Sequence, residues 1–156
     1  MQTIEVWILP PRLAFTLSQR EEMKGHKMEL DFSKVGGLVP AVVQDWTSGE
    51  ILMLGFMNSA ALAETLRCGS VTFFSRSRKK LWKKGEESGH RLLLRELLVD
   101  CDRDAVVARV EPVGPGVCHE GYRSCFFRRL NLDGTTTNVA QPSFDPTRVY
   151  TKGGRG

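Results

Sequence analysis

A chain of 156 residues, 41% hydrophobic and 26% charged, is long enough for one domain with its own core and too ordinary in composition for a disordered or fibrous protein. No apolar run approaches the ~20 residues of a membrane span, so no membrane partner is expected. The net charge of +4 favours anionic partners only weakly and leaves nucleic acid and phosphorylated metabolites open.

Residues 1–27 read as an N-terminal extension. WILPPRLAFTL is interrupted by Pro10 and Pro11 and lacks a basic n-region, so it is not read as a signal peptide. Met28, followed at once by ELDFSKVGG, looks like a domain start and a possible true first residue. Four cysteines without a secretory signal imply reduced thiols and a cytoplasmic location.

The core begins near Leu38. LVPAVVQDW and GEILMLGFM are apolar runs split by Thr47-Ser48-Gly49, a hairpin signal. Asn58 or Ser59 then caps a helix through Ala60–Arg67 that Gly69 ends. VTFFSRS, RLLLRELLVDC, AVVARVEPV and CFFRRLNL read as four further strands. One helix among several strands predicts a β-rich α+β domain over residues 28–135. Residues 136–156 read as a C-terminal tail, ending in the Gly-rich TKGGRG.

Chemistry concentrates in two phrases. The first holds Asp100, Cys101, Asp102 and Asp104. If the run stays extended, the three aspartates share one face and Cys101 points to the other, which separates hard oxygen ligands from a soft sulfur. A straight strand would spread Asp100 and Asp104 over roughly 13 Å, too far for one ion, so the chain is expected to bend here. Aspartate is also depleted in strands. The run matches parts of an EF-hand loop, but Ala105 stands where the sharp turn needs glycine.

The second phrase, GPGVCHEGYRSCFF, holds Cys118 and Cys125. Six residues containing Gly121 separate them, a loop able to bring both sulfurs to one ion. Three cysteines are one ligand short of a closed tetrahedral zinc site, and catalytic zinc keeps its fourth position for water. Buried, unliganded cysteines remain the alternative. Cys68, at the helix end, reads as structural. His119 follows Cys118 and is a candidate general base, since imidazole titrates near neutrality. The stretch SRSRKKLWKKGEESGH sets basic residues around Trp82, which suits phosphate groups, single-stranded nucleic acid or a solvated face.

The pieces GEILMLGFMN, VTFFSRSRKKLWKKGEESGH, DCDRD and GPGVCHEGYRSCFFRR resemble the phosphoribosyl-AMP cyclohydrolase family, in its order, over roughly residues 35–130. The resemblance implies a strongly curved, barrel-like mixed sheet in an intertwined homodimer. It implies one zinc per subunit on Cys101 from one chain and Cys118 with Cys125 from the other, and one magnesium on Asp100, Asp102 and Asp104. It implies hydrolytic opening of the adenine ring of phosphoribosyl-AMP, a step of histidine biosynthesis. Arg76, Ser77 and Arg78 are then the candidates for the substrate's phosphates, and nucleic acid is not an expected partner. A zinc-stabilised nucleic-acid-binding module and a zinc-dependent nucleobase deaminase are the competing readings.

Overall fold

A computed structural model describes residues 29–150. The N-terminal extension, Met28 and the final TKGGRG lie outside these residues. Strand β1 (Val39–Asp45) buries alternate residues, Val39, Ala41, Val43 and Asp45, which is the period of a pleated strand. It turns at Gly49 (φ 76°) into β2 (Ile51–Met57), and the two pair antiparallel with Val43 opposite Met53.

Helix α1 (Ser59–Cys68) follows. The Asn58 side chain accepts from the Ala61 N–H at 2.8 Å, and Gly69 ends the helix in the left-handed region at φ 65°. Thr65 joins the helix to the next strand, because its Oγ1 accepts from Thr72 N at 2.9 Å. A short antiparallel hairpin then forms from β3 (Thr72–Ser75) and β4 (Lys80–Lys83). Strand β5 (Leu92–Val99) and β6 (Val106–Pro112) pair antiparallel, and β6 returns parallel to β1.

The main sheet therefore has the order β2-β1-β6-β5 and is mixed. Short strands β7 (Arg128–Leu130) and β8 (Thr136–Asn138) make a separate exposed hairpin, and a 3₁₀ turn spans Pro146–Arg148. The segment CFFRRLNL contributes only its middle to a strand. Strand β4, hidden in the basic stretch, was not expected.

Among the described residues the fold is β-rich α+β with one α-helix, as the residue pattern implies. The barrel-like closure is not found: among the described residues every sheet is open. The physical reason lies at Ser70. The β3–β4 hairpin meets β5 through one isolated bridge, Ser70 to Leu93, flanked by Val71 N to Leu92 O (2.9 Å) and Leu94 N to Gly69 O (2.9 Å). These few bonds dock the hairpin beside the sheet without continuing its ladder.

The core lies between the sheet, α1 and this hairpin, with Val39, Val43, Leu52, Met57, Val71, Phe73, Leu92 and Val110 fully or almost fully buried. Phe73 stands against Gly55, where a Cβ would lie 2.4 Å from its Cδ1, so only glycine leaves room for the ring. Among the described residues no helix is long and apolar enough to cross a membrane.

Candidate metal centre and cavity

The loop after β6 carries two of the three expected sulfur ligands. It folds on its own backbone: Val117 N donates to Arg123 O (3.0 Å), Cys118 N to Tyr122 O (3.1 Å) and Gly121 N to Cys118 O (3.1 Å). Gly121 adopts φ 90°, and a Cβ there would meet Phe144 O at 2.5 Å. The loop is then fastened to β2. Cys125 N donates to Leu52 O at 2.7 Å, and Ser124 Oγ to Ile51 O at 2.7 Å. Arg123 adds a guanidinium that pairs with Asp45 and with Glu50 across the β1–β2 hairpin.

This folding brings the thiols of Cys118 and Cys125 together. Cys118 is buried, and although Cys125 as a residue is open to solvent, its thiol is crowded. Desolvation, and then the neighbouring Cys118, push the Cys125 thiol up to about 12, while Lys84 opposes the shift. Two adjacent sulfurs, one of them crowded enough to resist ionisation on its own, suit a metal ion, which replaces the thiol protons with positive charge.

Beside the pair opens a cavity of about 280 Å3. Apolar walls come from Phe56, Phe73, Phe74 and Trp82, and polar groups from Ser75, Arg78, Lys84, His119 and Tyr150. An apolar pocket with a few convergent polar groups is the usual form of a small-molecule site. His119 is exposed at its wall. Arg78 also lines it, with its backbone N–H held by Ser75 Oγ at 3.2 Å. Arg76 and Ser77 occupy the same β3–β4 turn outside the lining. Arg76 lies 4.0 Å over the Phe56 ring, and the Ser77 hydroxyl is 3.3 Å from that of Ser75.

Lys84 and Tyr150 are cavity residues that the sequence reading missed. Strand alternation was the available signal for Lys84, because it follows β4 on the same face as Trp82, whose ring packs 5.6 Å from Phe73. Burial lowers the Lys84 pKa, against the raising influence of Cys125 and Cys118. Tyr150 arrives from the C-terminal segment, which binds the loop through Ser143 N and Phe144 N on Gly121 O and sets Phe144 edge-on to His90 at 4.9 Å.

The aspartates lie at the β5–β6 turn. The expected bend is present: Arg103 is left-handed at φ 64°, and Asp100 Oδ1 accepts from the N–H groups of Asp104 (3.0 Å) and Ala105 (3.1 Å). The extended arrangement, with Cys101 facing away from three aligned carboxylates, is replaced by this turn. Asp100, Asp102 and Asp104 each offer an oxygen within 4.8 Å of the others, a donor set that suits a hard cation. Lys34 stands over the cluster, with Nζ 2.7 Å from Asp102 and 3.2 Å from Asp104. That ammonium holds the Asp102 carboxyl below its ordinary value.

Cys101, on this same turn, is exposed and apart from the other two cysteines. The turn lies beyond Val106, which pairs with Ala41 near the start of β1. Cys125 is fastened at Leu52, beside the far end of β1, where Gln44 pairs with Ile51. The two positions are at opposite ends of the sheet and on opposite sides of β1. Among the described residues, the three aspartates are the only group of three ligand side chains within reach of one ion.

The sequence profile of the phosphoribosyl-AMP cyclohydrolase family matches residues 53–127, a span that contains the cavity lining apart from Tyr150, the aspartate turn and Cys101, Cys118 and Cys125. A phosphoribosyl-AMP cyclohydrolase of Solibacter usitatus is 58% identical over 123 residues, covering 79% of this chain and 97% of the relative. The chain belongs to the phosphoribosyl-AMP cyclohydrolase family. The cyclohydrolase of Desulforapulum autotrophicum is 52% identical over 123 residues, 79% of this chain and 98% of its own. That of Geotalea daltonii is 50% identical over 126 residues, with 81% and 99% covered. The cyclohydrolase relatives thus match this chain over nearly their whole length.

Proposed function

We propose that this chain hydrolyses 1-(5-phosphoribosyl)-AMP, opening the adenine ring between N1 and C6. The product is an aminoimidazole carboxamide ribonucleotide with a formimino-linked phosphoribosyl group, on the route to L-histidine. The observation that carries the reading is the Cys118–Cys125 thiol pair at a cavity that His119 also lines.

The substrate is a flat heterocycle between two phosphorylated sugars. The aromatic walls, Phe73, Phe74 and Trp82, suit the ring, while Arg78 at the cavity and Arg76 and Ser77 beside it suit the phosphates. Water must add at C6, a weakly electrophilic carbon that the ribosyl substituent on N1 activates. A zinc ion held by sulfur ligands would supply the acidity that water lacks, since bound zinc lowers the pKa of water to about 7. His119 would take the proton that the incoming water loses and pass one to N1 as the C6–N1 bond breaks.

Each chain offers two sulfurs at the cavity and the third at the opposite end of its sheet. We therefore read the active form as a homodimer in which Cys101 of a second copy completes the Cys118–Cys125 pair. Asp100, Asp102 and Asp104, on the same turn as Cys101, would hold magnesium after Lys34 swings aside. The residues fit both metals by donor type, soft sulfur for zinc and hard oxygen for magnesium.

The nucleic-acid reading is weaker because Trp82 lines a cavity of about 280 Å3, sized for one small heterocycle rather than for the successive bases of a strand. Mass analysis of phosphoribosyl-AMP incubated with the chain separates the enzyme readings. A product heavier by one water without ammonia supports the proposal, and release of ammonia would identify a deaminase.

A further inference from the structure

Lys84 carries a cation into the interior. The residue is only 6% exposed, and its Nζ lies 5.4 Å from the Trp82 ring centroid. Among the described residues it forms no ion pair. Glu86 and Glu87 line the same cavity but do not pair with it, and the other titratable cavity groups are Arg78, His119, Cys125 and Tyr150. A buried ammonium without a counter-charge is costly. Cys125, one of the two sulfur ligands of the loop, lines the same cavity.

We propose that Lys84 is the counter-cation of the sulfur metal site. Zinc with three cysteine sulfurs would carry net negative charge, and Lys84 offsets it. Metal loading would thus supply the anion that this ammonium lacks among the described residues, which ties zinc affinity to this lysine. Lys84 is thus a positioning residue that acts through the ligands. The inference rests on the zinc reading above.

The test uses the full chain with Lys84→Met and Lys84→Arg beside the parent. Zinc affinity is measured by competition with a chromophoric chelator, and thermal melting is followed with and without zinc. The Met variant should bind zinc about 10- to 100-fold more weakly, the range for loss of a group that supports metal ligands. Its metal-free form should melt at or above the parent, because a buried charge has gone. Arg should restore most of the affinity. Parent-like zinc affinity in the Met variant overturns the proposal. So does a metal-free Met variant that melts well below the parent with an affinity that Arg does not rescue, which marks a purely structural lysine. A parent chain that binds no zinc overturns the zinc reading and this proposal together, whereas tight parent binding with an unchanged Met variant overturns this proposal alone.

Discussion

Cys125 donates its backbone N–H to the carbonyl of Leu52 at 2.7 Å, and this bond decides which sulfurs one chain can bring together. Leu52 belongs to edge strand β2, so the loop with Cys118 and Cys125 is fastened there. Cys101 sits on the turn at the other end of the sheet.

A site divided in this way can be complemented between inactive chains. Cys101→Ala and Cys125→Ala should each abolish turnover alone. After subunit exchange, each mixed dimer keeps one intact set of three sulfurs, so activity should recover to at most about half. No recovery after proven exchange would show that the three sulfurs belong to one chain.

The Cys125 thiol, raised to about 12 by desolvation and by Cys118, is protonated at neutral pH in the metal-free protein. A thiol reacts with alkylating reagents as its thiolate, so its labelling should be slow at pH 7 and should accelerate as pH rises toward the raised value. Exposed Cys101 provides the internal comparison. Peptide mapping by mass spectrometry after timed iodoacetamide treatment reads both rates, and rapid labelling of Cys125 at pH 7 would contradict the crowded thiol.

His119 lines the cavity next to a sulfur ligand without being counted as one. His119→Ala should lower kcat by about 10²- to 10⁴-fold, the usual worth of a general acid–base group. Zinc content, measured by atomic emission, should be unchanged. Loss of zinc with loss of activity would make the histidine a ligand or a support for one.

Gly55 leaves room for the Phe73 ring, and both residues line the cavity. Gly55→Ala forces that ring to move and should cost about 1–3 kcal/mol of stability, the range for overpacking a well-filled core. Urea unfolding measures this directly. A fully stable Ala variant would mean that Phe73 moves aside freely.

Much of this arrangement is legible in the residues. The Thr47–Gly49 turn and the Asn58 and Gly69 caps work through local chemistry, which the chain states directly. The bend at Asp100–Asp104 follows from three carboxylates too polar and too widely spaced for a straight strand. Other features are long-range and leave no local mark. Lys80 and Lys83 disguise β4, because an edge hairpin tolerates exposed charges that a sheet interior does not. Closure of the sheet was implied by resemblance, but it depends on how few bonds join Ser70 to Leu93. Tyr150 reaches the cavity only because Gly121 accepts the C-terminal segment, a contact between distant parts of the chain.

The most direct measurement is an absorbance assay of phosphoribosyl-AMP ring opening by the intact chain before and after zinc chelation. Turnover should disappear when zinc is withdrawn and return when zinc is restored, with Cys118→Ala inactive throughout. Undiminished turnover in protein shown to be free of zinc would contradict the assignment of Cys101, Cys118 and Cys125 as the metal centre of the reaction.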